Sequence, residues 1–265
     1  MTDIDRLLAA YDEHMRGAPP VLPAGVRCER DGPVLRVVGD VRGFVAAPRD
    51  TGLRGTALDE LIVRQRDFYA ARGEPVEWKL HAHDVPEDLP RRLRAAGFVP
   101  DEPETVLVGR AAEVAAPPVL PDGVVLRRVT RDADMRRIAA MQSDVWGEDW
   151  SWIGDDLIAR VAAAPDDIVV MVAEAAGEVV CAAWLVYHPG GDIASLWGGS
   201  TLAAWRRRGI YRALVAARAR LAVARGVTYL QVDASDDSAP VLRRLGFRAV
   251  TTSTPYVWSP RTMRA

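Results

Sequence analysis

The sequence predicts a mixed α/β protein, α+β in character, built from two tandem copies of one layout. Three observations predict it. Residues 124–258 read as strands and helices in the order β-α-α-β-β-β-α-β-α-β-β, which fits neither an all-helical nor an all-strand domain. Residues before 111 follow a shorter version of that order, and Leu93-x-x-x-Gly97-Phe98 matches Leu242-x-x-x-Gly246-Phe247. Repetition on this scale reads as duplication. Between the copies lies AAEVAAPPVLPD, Ala111 to Asp122, whose Pro117, Pro118 and Pro121 remove amide donors and interrupt helix and sheet alike. The expected division is a first domain over 1–113, a linker over 114–123 and a second domain over 124–265, both ordinary domain sizes.

In the first half, Asp3 to Met15 is a helix, and Val26 to Arg30 and Val34 to Val38 are strands around Asp31-Gly32, a hairpin turn. Gly43 to Ala46 is a short strand and Thr56 to Arg72 a long helix. Val76 to His81 is a strand, Leu89 to Ala96 a helix and Glu104 to Gly109 a strand. In the second half, Val124 to Val129 is a strand. Asp132 to Ser143 and Asp155 to Ala163 are helices, the first with Ile138 and Met141 on its apolar stripe. Asp167 to Ala175 and Glu178 to His188 are apolar runs joined at Ala176-Gly177, and Asp192 to Thr201 is a further strand. Arg207 to Arg225 has helical spacing and stops at Gly226. Thr228 to Asp233 is a strand and Ala239 to Leu245 a helix stopped by Gly246; Phe247 to Val250 and Thr254 to Trp258 are two last strands.

Composition narrows the function. The chain has 265 residues, 49% hydrophobic and 26% charged, which excludes a mostly disordered protein. Lys plus Arg number 34 against 36 Asp plus Glu, and the net charge of −2 argues against a general nucleic-acid binder. No apolar run approaches the roughly 20 residues of a membrane span, so no membrane partner is expected. Met1 to Arg16 has no apolar signal core. Lys79 is the one lysine, a bias that fits a GC-rich bacterial genome. Cys28 and Cys181 lie in unrelated contexts, which fits a reducing cytoplasm and argues against a disulfide framework or a cysteine metal site.

The segment that carries chemistry is Trp205-Arg206-Arg207-Arg208-Gly209-Ile210-Tyr211-Arg212, between a strand and a long helix. A helix start offers unpaired N–H groups at the positive end of its dipole, and Gly209 lets a ligand approach the backbone. Cations at that end are unfavourable unless an anion joins them, so the cluster favours a phosphate cradle over a solvated basic turn. It is neither a GxxxxGK[ST] loop nor a GxGxxG turn. His81 and His83, two apart on one strand, lack a third ligand and read as packing residues, and Cys181 reads as a small hydrophobe. No metal is expected.

Over residues 124–258 the chain resembles the GNAT superfamily of acyl-CoA-dependent N-acetyltransferases. The family's [Q/R]-x-x-G-x-[G/A] fingerprint corresponds to Arg206-x-x-Gly209-x-Tyr211, and its short helix ending in Gly-Phe corresponds to Leu242 to Phe247. The resemblance implies a central mixed, mostly antiparallel sheet flanked by helices, with acetyl-CoA as acyl donor. It places cofactor contacts on Gly199, Ser200 and Thr201, on Arg206, Arg207, Arg208, Gly209, Ile210, Tyr211 and Arg212, and on Ser235, which stands where the family often has asparagine. Tyr211 replaces a small residue, so its ring must turn from the pyrophosphate. The tyrosine acid of the family maps to Leu242, which has no acid chemistry. The first half resembles a degenerate copy: its loop Asp50-Thr51-Gly52-Leu53-Arg54-Gly55 lacks the fingerprint, and one cofactor site is expected.

Acetyl transfer requires alignment of two reactants, oxyanion stabilisation and removal of a proton from the acceptor. The resemblance puts Ser195 where a strand carboxylate often stands, with water at Ser195 passing the proton toward Glu148, Asp149, Glu174 or Asp192. Val145 to Asp156, VWGEDWSWIGDD, is the expected acceptor lining. Trp146, Trp150 and Trp152 beside Glu148 and Asp149 suit a cation with an apolar body, and Trp197 adds a wall. The acceptor is read as a primary amine on a small molecule or peptide, attacked in a ternary complex. A non-catalytic acyl-CoA-binding or regulatory module is the alternative, and a homodimer is compatible with either.

Overall fold

A computed structural model describes residues 2–260. The first half runs α1 (Asp3–Met15), β1 (Arg27–Asp31), β2 (Val34–Val38), β3 (Gly43–Ala46), α2 (Gly55–Ala70), β4 (Val76–His81), α3 (Leu89–Ala95), β5 (Val99–Pro100) and β6 (Glu104–Arg110). After a single turn, α4 (Ala111–Val114), come β7 (Val124–Val129), α5 (Asp132–Trp146), α6 (Trp152–Ala163), β8 (Ile168–Ala175), β9 (Glu178–Tyr187) and β10 (Ile193–Thr201). A 3-10 turn (Ala203–Trp205) leads to α7 (Ile210–Ala224), β11 (Tyr229–Ala234), α8 (Ala239–Arg244) and β12 (Arg248–Trp258). The fold class is the expected one, a mixed, mostly antiparallel sheet flanked by helices. No helix among the described residues is long and apolar enough to cross a membrane.

The strands form one sheet through both halves, in the order β1-β2-β3-β4-β12-β6-β11-β10-β9-β8-β7, with β5 pairing β12 at its end. The two last strands of the halves are exchanged. β6, which precedes the proline-rich segment, runs antiparallel to β11 from Tyr229↔Arg110 to Ala234↔Thr105. β12, the last strand of the chain, pairs with β4 from Ser253↔His81 to Trp258↔Val76 and with β5 at Tyr256↔Pro100. The two strands expected at Phe247–Val250 and Thr254–Trp258 are thus one, bulged between Ala249 and Thr251 within its pairing to β6 and passing to β4 at Ser253. Its middle is polar for a reason: Thr251 Oγ1 meets His83 Nδ1 at 2.9 Å, and Ser253 is buried between two strands. Within the segment expected as a linker, 114–123, Val114 is buried in the core that α7 covers and Leu120 rests on it.

Period-2 alternation sorts the faces. On β9, Ala183 and Leu185 join the core shared with α7 and α8, whereas Ala182, Trp184 and Val186 join the one shared with α5 and α6. On β10, Ala194 and Leu196 take the α7 side, which leaves Ser195 and Trp197 for the other. α7 lies close to the sheet because Ala213, Ala217, Ala219 and Ala222 line its buried face. α1 lays Leu7 and Tyr11 on Val106 and Val108 of β6, so the first helix of the chain covers the strand that completes the second half.

The exchange gives a testable expectation. A fragment of residues 1–116 lacks β12 and one of residues 117–265 lacks β6, leaving interior strand edges bare. Neither fragment alone should give a cooperative thermal transition by circular dichroism, while the two co-expressed should. A cooperative transition in the 117–265 fragment by itself would contradict the exchange.

Candidate active site

The site is built on a place where two parallel strands separate. β10 and β11 pair from Ile193↔Tyr229 to Ser195↔Gln231 and no further. Beyond Ser195 the β11-facing edge of β10 has no strand partner, so its backbone groups are free for a ligand. The other edge of β10 is interrupted as well: its register with β9 shifts between Trp197 and Ser200, so Gly198 and Gly199 bulge out. Both positions demand glycine. Gly198 has φ +64, and a Cβ there would lie 1.9 Å from the Trp184 ring; one on Gly199 would lie 2.4 Å from the Tyr211 ring. That second contact shows where Tyr211 goes. Its ring turns beneath the bulge into the core that α7 covers, and burial raises its hydroxyl pKa.

At the end of β10 the chain turns into the arginine segment. Arg206 Nε donates to Thr201 O at 3.1 Å, the Arg208 guanidinium lies 4.7 Å from the Trp205 ring centroid, and Ile210 is buried as an anchor. Arg207 and Gly209 take positive φ, +63 and +83, and Gly209 is the N-cap of α7 with no side-chain partner for the helix amides. Arg206, Arg207, Arg208 and Arg212 are exposed, and none pairs with a carboxylate among the described residues. Four unneutralised cations at a helix start are what a polyphosphate would stabilise. Ser235 is exposed at the approach to α8, its carbonyl accepting from the Ser238 and Ala239 amides. Leu242 is fully buried in the core.

The first half also has a pair of parallel strands that part. β3 and β4 pair in parallel over Gly43↔Val76 to Val45↔Trp78 and then separate. Into that region comes Arg16 of α1, donating to Ala47 O at 3.1 Å and to Asp84 Oδ1 at 2.6 Å. At the loop before α2, Asp50 accepts from the Gly52 amide and from both Arg54 terminal nitrogens, all at 2.8 Å. Those bonds, Arg54 first, hold Asp50 down to about 2.

On the opposite face of the sheet, Ser195 is fully buried, and its Oγ accepts from Trp197 Nε1 at 2.7 Å. The same Oγ lies 2.8 Å from Nε2 of His188. His188 was not singled out by the sequence, although the hairpin register (Tyr187↔Ala194) would have placed it beside Ser195. Burial, with the His14 ring nearby, pushes His188 down to about 4. It is therefore neutral near pH 7, and Nε2 accepts the Ser195 hydroxyl proton when Nδ1 carries the ring hydrogen. His188 also lines a recess of about 350 Å³ with Pro20, Tyr187, Gly190 and Arg225. Further along β11, Asp233 accepts from Gln231 Nε2 at 2.9 Å and from Lys79 Nζ. Lys79 also lies 3.8 Å from Glu104 of β6. Burial and the Asp233 carboxylate raise the Glu104 pKa against the pull of Lys79. The lone lysine and this glutamate come from the first half, and only tertiary structure brings them here.

The predicted acceptor residues divide. Gln142 of α5 donates to Gly198 O at 3.1 Å and accepts from Trp146 Nε1 at 2.9 Å, so Trp146 is tied to the bulge. Trp150 stands 5.9 Å from Trp146 and 5.5 Å from Trp152, centroid to centroid. Trp146, Trp152 and Trp197 are 54%, 44% and 44% exposed, a wall rather than a core. Glu148 and Asp149 are exposed in the α5–α6 turn, and the Ser151 amide 2.9 Å from Asp149 Oδ1 lowers its pKa. Glu174 is elsewhere. It lies on β8, bonded by Arg127 at 2.9 Å and Arg137 at 2.8 Å, which hold its carboxyl below the usual range. Those ion pairs commit it to joining β7, β8 and α5, away from the parted strands.

Residues 134–247 match the family model described as acetyltransferase (GNAT) family. Among solved structures, a GCN5-related N-acetyltransferase from Kribbella flavida is 19% identical over 97% of this chain and 96% of its own, with TM-score 0.70. A functionally unknown conserved protein from Staphylococcus epidermidis is 12% identical over 93% and 99%, with TM-score 0.68. A tandem GNAT protein from the clavulanic acid biosynthesis pathway, solved without AcCoA, is 13% identical over 97% and 93%, with TM-score 0.65. At these identities the likeness is one of fold. No curated protein matches the sequence.

His188 sets a pH expectation. Its folded pKa, about 4, lies below the ordinary 6.5, so the unfolded chain binds the proton first as pH falls. The stabilisation is complete above about pH 6.5 and is lost toward pH 4, amounting to at most about 3 kcal/mol. Thermal melts across this range should show a shallower dependence of Tm on pH in His188→Gln than in the wild type. Parallel curves would contradict the buried neutral ring.

Proposed function

We propose that this protein, whose residues 134–247 match the acetyltransferase (GNAT) family model, transfers an acetyl group from acetyl-CoA to a primary amine with both substrates bound together. The observation that carries the reading is the pairing of the parted β10–β11 edge with four unneutralised arginines at the α7 start. The residues present fit the donor: exposed cations and free helix amides suit a pyrophosphate, and a bare strand edge suits an amide-bearing arm. Bound acetyl-CoA would supply an activated acyl group.

In this reading Arg206, Arg207, Arg208, Arg212 and the amides from Gly209 through Tyr211 hold the pyrophosphate. Gly199, Ser200 and Thr201 hold the arm along the strand edge, with Ser235 across from them. Trp146, Trp150, Trp152 and Trp197 line the acceptor side, and Glu148 and Asp149 draw a cationic amine to the rim. The amine gives its extra proton to solvent before it attacks; a nitrogen–carbon bond then forms, a carbon–sulfur bond breaks, and the departing thiolate takes a proton from solvent. The proton shed by the amine passes to Ser195 Oγ as the serine's own proton passes to His188, which lines the recess. Glu174 has no part in this route. The same reading keeps a cytoplasmic protein with no metal, nucleic acid or membrane partner, and it is neutral on a homodimer.

One observation favours the second reading, a non-catalytic acyl-CoA-binding or regulatory module: with Leu242 buried, no tyrosine acid serves the departing thiol from that position. Calorimetry with acetyl-CoA and thiol release across an amine panel test both. Micromolar binding is expected, weakened by about 10-fold or more in Gly209→Asp, which puts a carboxylate at the cradle in a backbone conformation that favours glycine. Ser195→Ala and His188→Phe should each lower kcat by roughly 10²-fold with little change in the KM for acetyl-CoA. Absence of binding sinks both readings, and binding without turnover on any amine leaves the module.

A further inference from the structure

Arg218 is the only buried arginine among the described residues, 1% exposed on α7, and no described carboxylate pairs with it. Its Nε donates to Leu214 O at 3.1 Å, within its own helix. Its Nη1 donates to two carbonyls of neighbouring strands, Trp184 O at 3.0 Å and Trp197 O at 3.2 Å. Burial draws its pKa down to about 10, which still leaves it charged at neutral pH. An unpaired buried cation is expensive, and a neutral donor or an apolar side chain would be the easier occupant if only packing mattered.

The position of those carbonyls gives the charge a use. One nitrogen reaches both Trp184 O on β9 and Trp197 O on β10, so Trp197 O lies on the β9 side of its strand. The Trp197–Gly198 peptide is trans, so its N–H points opposite to its carbonyl. Gly198 N–H is thereby directed toward the β11 side, where β10 has no partner beyond Ser195. A cation on the carbonyl oxygen also polarises the whole peptide unit and makes its N–H a stronger donor. Gln142, bonding Gly198 O from the α5 side, fixes the next peptide in the same manner.

We infer that Arg218 is a positioning residue for acyl transfer: by holding the Trp197 carbonyl, its guanidinium aims the Gly198 N–H at the parted strands and strengthens it as a donor to the acyl carbonyl oxygen. The inference rests on the acyl-transfer reading above. It differs from a purely structural role in requiring the charge, since a neutral side chain could satisfy two carbonyls.

The test is the infrared stretch of acetyl-CoA labelled with carbon-13 at the thioester carbonyl, bound to the full-length protein. In the wild type the stretch should lie below that of the free thioester. In Arg218→Met it should return most of the way to the free value, with kcat reduced by roughly 10–10²-fold and the calorimetric Kd for acetyl-CoA little changed. An Arg218→Met protein that folds and keeps the wild-type stretch overturns the inference. Should that variant not fold, Arg218→Lys asks the same question, because a buried ammonium loses its proton at accessible pH where a guanidinium does not. Its stretch should follow pH between about 6 and 8 while that of the wild type stays constant; a pH-independent stretch in the lysine variant overturns the inference. A wild-type chain that binds no acetyl-CoA brings down the acyl-transfer reading and this inference with it, whereas normal binding with an unmoved stretch brings down this inference alone.

Discussion

Backbone amides and carbonyls inside a sheet must find partners, and nearly everything in this molecule answers the fact that β10 and β11 stop pairing after Ser195 and Gln231. The strand is held around that opening by side chains from both faces. Arg218 binds the Trp197 carbonyl on the β9 side, Gln142 binds that of Gly198, Arg206 binds that of Thr201, and β6 closes the far edge of β11. The glycines follow from the same constraint, since the rings of Trp184 and Tyr211 occupy the space that side chains at 198 and 199 would need. Fold and site are one problem here: the sheet is arranged so that a length of strand edge can stay bare.

Local elements were legible in the sequence because local forces form them. The β8–β9 hairpin around Ala176-Gly177, the alanine-rich α7 stopped by Gly226 and the cradle at Gly209 all follow from periodicity and from glycine's tolerance of positive φ. The exchange of β6 and β12 was not legible. Two strands of ordinary composition can each pair with several edges, and the choice depends on the whole sheet. The polar run Thr251-Thr252-Ser253-Thr254 imitates a break between strands, yet it is strand because its backbone pairs with β6 and β4, and His83 binds the Thr251 hydroxyl. The site divides in the same way. Its arginine-bearing turn before α7 is contiguous in sequence, so its exposed cations could be read there. The Ser195–His188 contact needed the hairpin register, and Lys79 with Glu104 needed the assembled sheet. Glu174 was misplaced because a carboxylate's partners, here Arg127 and Arg137, are invisible until strands and helices are packed.

The two halves can be compared strand for strand. Each has a pair of parallel strands that separate after three residues, and each has a loop before the following helix. In the second half that loop carries arginines without carboxylate partners among the described residues; in the first, Asp50 accepts from Arg54, and Arg16 reaches the carbonyl of Ala47 just beyond the paired stretch.

The exchanged strands carry a further consequence, for how free energy is shared along the chain. With β6 sewn into the second half and β12 into the first, neither half can melt without stripping a central strand from the other. A molecule that binds the folded second half and not the unfolded chain stabilises the whole sheet by linkage, including the first half it never touches. Protease resistance in the loops around Gly73 or Glu102, far along the chain from the cradle, would then report occupancy at Gly209.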